Sequence, residues 1–552
     1  MDRGPNRSAV IGPAIVLCAI IAFLVLGGFE AWGDSATYDE PVYVSAGVVA
    51  VLHHDLADNA EHPPLFKVLA ALPVLLVHPV VPGDGHWNLN DERAYSARFV
   101  RAQLRAGTLQ QVTFAARIVP LLEGAVLGLA LFALAASLFG LWSGVLASVL
   151  WLLDPMTLGF GHLDGVDLPF ALTTVVVSWC LVRWLARRDR RTLGWLGVAC
   201  GAAVSAQATG LLLAGLAAGV VAVAGWRSGR RGWTMWRPAA TVALVAWAFV
   251  WIVYLVIDPR VVIHSWVVLP QPYVEGLRYL ASHDAGAAPG FLIGHAWSGA
   301  NPWFWPVSLL VKVPTPLLAV LLAGPLALVA LVRSGRIART TWRHALAAVA
   351  LPAIVLFTVE LPNPRTLGIR YLLPSLALWI ALASPVALVV GRRMLATALV
   401  SVVAAGAVIG ALSFPHSLSY TAPPFRPGYR MATDSNLDWG QDFTLLTSWS
   451  RTHHPYVAYF GPRGLSPADV PGARSLVGTP PGGIVGWVAA SASDLTSADR
   501  GPLSWLRGYC PVGTLGGTIL LYHFTIPPTG APGPAAPASP CPGASSQRVP
   551  GR

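Results

Sequence analysis

Residues 116–138 read Ala116-Arg-Ile-Val-Pro-Leu-Leu-Glu-Gly-Ala-Val-Leu-Gly-Leu-Ala-Leu-Phe-Ala-Leu-Ala-Ala-Ser-Leu138, an apolar run interrupted only by Arg117 near its start and by Glu123. Wound as a helix rising about 1.5 Å per residue, the run is long enough to cross a hydrocarbon core about 30 Å thick. Similar runs recur along the chain. They predict about eleven spans, near 10–29, 116–138, 143–159, 167–186, 192–206, 209–226, 239–258, 303–331, 345–360, 371–390 and 394–412. Composition agrees. Of 552 residues, 55% are hydrophobic and 11% charged, against about 25% charged in ordinary soluble proteins. Most of this chain has no water to face.

The charges fix an orientation. A net charge of +11 would suggest nucleic acid in a soluble protein, but here the arginines cluster between apolar runs, and no nucleic-acid partner is expected. With the N-terminus in the cytoplasm, Arg183/Arg187/Arg188/Arg190/Arg191, Arg227/Arg230/Arg231/Arg237, Arg333/Arg336/Arg339/Arg343 and Arg392/Arg393 all fall on the cytoplasmic side. That is the positive-inside pattern, and one span more or fewer breaks it downstream. Residues 30–115, 259–302, 361–370 and everything after 412 are then outside. The expected localisation is the plasma membrane, multi-pass, with the C-terminus extracytoplasmic. The first run, Val10 to Gly28, follows Arg3 and Arg7. It reads as a retained anchor, because it is long for a signal sequence and Glu30-Ala31-Trp32 is a poor cleavage site.

The expected organisation is a transmembrane domain over 1–412 with a large first outer loop at 30–115, a small extracytoplasmic α/β domain over 413–525, and a Pro/Ala-rich tail over 526–552 whose composition predicts disorder. Short β-rich segments at Tyr456–Phe460, Gly483–Ala489 and Thr518–Phe524 mark the soluble domain. Cys18, Cys180 and Cys200 lie in apolar runs and read as small hydrophobes. Cys510 and Cys541 lie beyond the last run, where a disulfide is chemically permitted.

Polar residues gather at the outer ends of the spans. Asp34-Ser-Ala-Thr-Tyr-Asp39-Glu40-Pro opens the first loop. Adjacent carboxylates at a membrane surface suit a general base; the same Asp-Glu-Pro also suits the first turn of a helix. Asn59-Ala-Glu-His-Pro-Pro-Leu-Phe-Lys67 reads as the polar entry to an interfacial helix, with Lys67 reaching headgroups or a lipid phosphate. Within it, Glu61 and His62 are two adjacent residues of metal-ligand type and the candidates for a divalent metal. Gly161-His162-Leu-Asp164-Gly-Val-Asp167-Leu-Pro brings a second carboxylate pair to the same side, with helix capping by Asp167 as the structural alternative. Arg117 and Arg370 stand at the outer mouths of spans, where a phosphate is a natural partner and a lipid headgroup the alternative.

Taken in order, these residues resemble a known family. The matching segments are Asp39-Glu40-Pro-Val-Tyr43 with Ser45-Ala-Gly47, Glu61-His-Pro-Pro-Leu-Phe-Lys67, Arg117, and Asp167-Leu-Pro169. They continue with Gly294-His-Ala-Trp297, Trp303-Phe-Trp-Pro306, Lys312-Val-Pro314, Gly368-Ile-Arg-Tyr371-Leu-Leu-Pro374 and Asp434-Ser-Asn-Leu-Asp-Trp-Gly-Gln-Asp442. The chain resembles a GT-C superfamily glycosyltransferase of the phospholipid carrier-dependent branch, related to protein O-mannosyltransferases and aminoarabinose transferases. The resemblance implies an all-α polytopic membrane fold and inverting transfer from a polyprenyl-phosphate-linked sugar to an extracytoplasmic acceptor hydroxyl on a glycan, lipid or protein. It puts Asp39 in the place of the family's catalytic aspartate and Asp167 at the second acidic position, with Glu40 a further catalytic candidate as the carboxylate beside Asp39. It puts Arg117 near the donor phosphate; Lys67 and Arg370 are candidates for the same phosphate from their place on the outer side, and Tyr43, Glu61, His62, His162, Asp164 and Tyr371 are the candidates for substrate contact. The chain departs from many members at Ser205-Ala-Gln207-Ala-Thr209, where a Lys is common, and at Ser419-Tyr-Thr-Ala-Pro-Pro424, where an Asn is common. Both departures bear on the acceptor.

The chemistry fits a lipid donor. Its leaving group is a phosphate, so the protein must supply a base and positioned cations, and no Gly-rich nucleotide loop is needed. A transporter or lipid flippase without transferase activity is the competing reading. Transporters set charges at the midplane on broken helices, whereas these charges lie at the rim. A membrane scaffold presenting the C-terminal domain would leave the clustered carboxylates unexplained.

Overall fold

The computed structural model describes residues 7–83, 91–229, 231–261, 268–283, 286, 288–389, 412–496, 501–534 and 536–540, with a few more between 397 and 409. Helices dominate. α1 (Arg7–Gly33) is followed by three helices of the first loop, α2 (Glu40–His53), α3 (Pro64–Leu76) and α4 (Glu92–Ala106). Then come α5 (Leu109–Phe139), α6 (Leu141–Leu152), α7 (Pro155–Gly161), α8 (Asp167–Arg187), α9 (Arg190–Val204), α10 (Gly210–Arg227), α11 (Trp233–Ile257) and α12 (Gln271–His283). α13 (Phe304–Lys312) and α14 (Thr315–Arg333) precede two further spans, Arg339–Glu360 and Ile369–Val389.

Among the described residues, eight helices are long and apolar enough to cross a membrane, and nine if a bent pair is counted as one span. The chain is a multi-pass membrane protein. The bent pair is α6 and α7, which meet at 63°. The bend falls at Asp154-Pro155, where Asp154 turns its carboxylate onto the Met156 N–H instead of continuing the helix. The expected fifth span corresponds to α9, only 15 residues long and packed along α8 and α11. The expected run 303–331 is divided by Val313-Pro314 into α13 and α14, so its membrane-length part begins at Thr315. The expected span 394–412 lies largely outside the described residues.

Small residues let these helices approach. A Cβ at Gly144 of α6 would strike Ala136 and Phe132 of α5, and one at Gly128 would strike Leu152. In lipid, where tails are as apolar as leucine, such close van der Waals packing drives helix association. The same device joins α2 to α3, since a side chain at Gly47 would run into the Lys67 carbonyl.

Beyond the spans lies a five-stranded mixed sheet, ordered β4-β3-β5-β7-β6. Its strands are β3 (Tyr456–Ala458), β4 (Arg474–Ser475), β5 (Gly486–Ser491), β6 (Gly513–Leu515) and β7 (Ile519–Phe524), with helix Phe443–His453 packed against it. A hairpin of β1 (Pro289–Leu292) and β2 (His295–Ser298) projects from the second loop. Its turn residues Ile293 and Gly294 both have positive φ, 48° and 77°, the twist a two-residue hairpin requires. The Ile293 N–H donates to the Met431 carbonyl at 2.9 Å. Cys510 is disulfide-bonded, and Cys541 lies outside the described residues. So does 541–552, part of the segment expected to be disordered. Up to residue 540 the chain lies along the sheet domain: Gly533 donates to the Ser504 carbonyl, Thr529 to the Tyr509 hydroxyl, and Arg430 to the Ser539 hydroxyl.

The first loop and the C-terminal region are stitched together by backbone. Ser35 N–H donates to the Gln441 carbonyl at 2.8 Å, and Tyr38 N–H to the Trp439 carbonyl at 2.9 Å. Lys312, fully buried, donates to the carbonyls of Leu418, Tyr420 and Asn436 at 2.8, 2.6 and 2.7 Å. An ammonium with three carbonyl acceptors has all its donors satisfied. These contacts seat the Asp434–Asp442 string over the end of the bundle that carries Asp39.

Candidate functional site

Asp39 occupies the residue before α2, whose first turn is preset by Pro41. Its carboxylate makes no capping hydrogen bond, so the helix-terminus reading of Asp39 leaves the side chain unused. Instead, one oxygen lies 3.0 Å from an Arg370 nitrogen and the other 3.6 Å from Arg93. Asp167 opens α8, also without capping that helix, and its carboxylate lies 3.5 Å from the other terminal nitrogen of Arg370. One guanidinium therefore holds both carboxylates, brought together from distant parts of the chain. Arg370 rests over the rings of Trp439 (4.3 Å) and Tyr371 (5.1 Å), which fixes its plane. Tyr43 stands against His62, ring centroids 5.5 Å apart. Burial drives the Tyr43 hydroxyl well above its ordinary pKa, with the Asp39 charge adding to the effect.

A second layer lies beneath. Arg117 is fully buried and spends its five N–H donors inward: two on the Glu40 oxygens (2.8 and 2.7 Å) and three on the carbonyls of Ala31, Asp34 and Ser35. Expected at the donor phosphate, Arg117 has no donor left for one in this arrangement. Glu40 accepts four hydrogen bonds, two from Arg117 and one each from the Thr37 and Asp164 N–H groups. Burial works to raise its carboxyl pKa, but the guanidinium and the two amides outweigh it and hold Glu40 below the ordinary value. Asp164 packs beside it, its pKa pushed well up by burial and by the Glu40 charge. His162, expected at the substrate, is fully buried. It hydrogen-bonds Asp34 at 3.1 Å and the Leu158 carbonyl at 2.7 Å, with Glu30 at 3.6 Å. Glu40, Arg117, Asp164 and His162 thus hold the chain between α1 and α2 rather than line the surface around Asp39.

The third group gathers at the entry to α3. Glu61 pairs with His62 at 3.3 Å. Although burial opposes it, the neighbouring His62 holds the Glu61 carboxyl below its ordinary value. Lys67 donates to the Asn59 carbonyl and side-chain oxygen at 2.6 and 3.0 Å, and burial lowers its pKa to about 8. Asp58 lies close by, both carboxylate oxygens without a hydrogen-bond partner and its pKa raised by burial to about 8. Among the described residues, no third His, Cys, Asp or Glu joins Glu61 and His62 to make a metal-ligand set.

Arg93 was not anticipated from sequence. It lies in the first turn of the amphipathic α4, where an arginine reads as surface, and only its contact with Asp39 and its position over the Tyr38 ring at 5.2 Å single it out. Tyr38 in turn stacks on Phe460 at 5.1 Å. Trp439 sits inside the Asp434–Asp442 string already marked in the sequence.

Residues 104–255 match the family model of dolichyl-phosphate-mannose-protein mannosyltransferases, a segment that includes Arg117 and Asp167. No curated protein matches the chain. Among solved structures, similar folds include ArnT from Cupriavidus metallidurans bound to undecaprenyl phosphate, at 14% identity over 75% of this chain and 67% of that one, with a TM-score of 0.46. Archaeal oligosaccharyltransferase AglB from Archaeoglobus fulgidus, in complex with an inhibitory peptide and a dolichol-phosphate, is similar at 13% identity over 94% and 75%, with a TM-score of 0.49. The S. cerevisiae protein O-mannosyltransferase Pmt1–Pmt2 complex bound to the sugar donor is similar at 16% identity over 45% and 33%, with a TM-score of 0.30.

Proposed function

We propose that this chain is a membrane glycosyltransferase of the GT-C type, and that it moves a sugar from a polyprenyl-phosphate donor to an acceptor hydroxyl on the extracytoplasmic side, with inversion; the family-model match over residues 104–255 supports this reading. The supporting observation is the pair of carboxylates, Asp39 and Asp167, held on the single guanidinium of Arg370. Asp39 takes the proton from the acceptor hydroxyl. The hydroxyl oxygen bonds to the anomeric carbon from the face opposite the phosphate, and the anomeric carbon–phosphate oxygen bond breaks. The electron pair leaves with the polyprenyl phosphate. Arg370 and Arg93 supply fixed positive charge where that phosphate develops, which a preorganised site does at little reorganisation cost. Asp167 orients the guanidinium and contacts the sugar, with Tyr43, His62 and Tyr371 beside it. Glu40 and Arg117 act through Asp39 by holding its segment. Two aspartates beside one arginine suit this chemistry better than carriage of a whole lipid, which needs no base.

The test is transfer by the purified protein. In proteoliposomes, a polyprenyl-phosphate sugar with radiolabel on the sugar should yield labelled acceptor and free polyprenyl phosphate in equal amounts. Movement of intact donor across the bilayer without cleavage would replace transfer by transport.

The domain plan accompanies this reading: a membrane domain to residue 412 carrying the outer loop 30–115, then an extracytoplasmic domain over 413–525. With the N-terminus cytoplasmic, a reporter inserted after Arg336 should be cytoplasmic and one after Ser413 extracytoplasmic. A cytoplasmic reporter after Ser413 would put Asp39 and the sheet domain on opposite faces and remove the site.

A further inference from the structure

At the other end of α8 lies a feature that sugar transfer does not use. Asp167 opens this helix beside Arg370, and Arg187 closes it. The twenty residue steps from one to the other rise about 30 Å, the thickness of a bilayer core. Whatever the orientation of the chain, Arg187 is at the membrane face opposite the candidate active site.

There, side chains of α8 and α9 line a cavity of about 550 Å³. Arg183, Arg187 and Arg191 line it, as do Trp179 and Trp195. Farther from the α8–α9 turn the lining becomes apolar, through Val198 and its neighbours. The cavity is therefore cationic at the membrane surface and apolar toward the membrane interior, with indoles between. None of the three arginines has a carboxylate within ion-pair distance among the described residues. Arg183 lies over the Trp179 ring at 5.2 Å. The one acid in the turn, Asp189, is committed to capping α9 through the Thr192 N–H at 2.8 Å. Three guanidiniums facing one cavity repel each other, and topology alone does not require them to share it, because Arg188 and Arg190 lie in the same turn.

We propose that this cavity is a binding site for an anionic glycerophospholipid of the leaflet opposite the active site. The phosphate would take bidentate hydrogen bonds from the arginines. The glycerol backbone would lie at the level of the tryptophans, where indoles favour the interface, and an acyl chain would follow the apolar wall. Basic pockets between spanning helices suit such headgroups. Polyprenyl phosphate shares the phosphate but has no glycerol ester region to place between the indoles.

Native mass spectrometry of the detergent-purified full chain tests this. After incubation with equal amounts of phosphatidylglycerol and phosphatidylcholine, the wild type should retain one phosphatidylglycerol in preference. The R183Q/R187Q/R191Q variant, which keeps Arg188 and Arg190 for topology, should lose that preference by on the order of tenfold or more. R227Q/R231Q/R237Q, altered in a different basic loop, should keep it. Equal retention by wild type and the α8–α9 variant would overturn the site, as would equal loss in both variants. Polyprenyl phosphate displacing phosphatidylglycerol at equal concentration would overturn the assigned occupant. W195A tests the site without changing charge: it should weaken retention, and unchanged retention would count against the cavity as the place of binding.

Discussion

Asp39→Asn should reduce turnover by roughly 10²- to 10⁴-fold while leaving the apparent KM for the lipid donor near its original value. The amide keeps the shape of the carboxylate and its place beside Arg370, 3.0 Å away, but takes no proton. Loss of the base alone lowers kcat and kcat/KM together. Glu40 is the natural comparison because it is adjacent in sequence. Its four hydrogen bonds leave no free direction for an acceptor hydroxyl, so Glu40→Gln should act through stability. The two variants separate cleanly in steady-state kinetics paired with a thermal melt. If Asp39→Asn turned over normally, Asp39 would not be the base, and Asp167, 3.5 Å from the same guanidinium, would be the next candidate.

The second large effect is expected from Arg117→Met, and it should appear as lost protein. The guanidinium joins Glu40 to the carbonyls of Ala31, Asp34 and Ser35, all in a site closed to water. Removing one partner of a buried ion pair strands the other and costs about 3–5 kcal/mol. Here three carbonyls lose their donor as well. Lysine should not rescue, because an ammonium cannot reproduce the planar fork. The double variant E40L/R117M, which removes both charges, should recover part of the loss. Fluorescence-detected size exclusion and a melting curve in detergent measure each step. A stable Arg117→Met protein, impaired only in its KM for the lipid donor, would return Arg117 to the phosphate, where the family resemblance puts it.

The contrast between Asp39 and Arg117 marks how far sequence could be read. Apolar length identifies a span, so the multi-pass architecture was legible. So was the gathering of Asp39, Asp167 and Arg370 at one end, since each lies at a span mouth of the same side. Length does not say where a proline divides a run, and Val313-Pro314 separates α13 from α14 within one apolar stretch. Nor does position at a span mouth say which way a side chain turns. Arg117 and Arg370 look alike in sequence. One faces a carboxylate and carbonyls of its own scaffold; the other faces two carboxylates and a pair of rings. That difference is set by contacts with residues 77 and 331 positions away, which no local pattern encodes. Arg93 was missed for the same reason.

The hydrogen bonds from Ser35 and Tyr38 to Gln441 and Trp439 also order events in time. The backbone with which the segment bearing Asp39 pairs is synthesised some four hundred residues after it. Throughout that interval the aspartate sits beside a growing set of helices without the backbone that later fixes its segment. Its position is completed only when the C-terminal string arrives. A nascent chain built this way carries Asp39 well before the backbone that fixes its segment, so the arrangement around Asp39 assembles only after the Asp434–Asp442 string has been made.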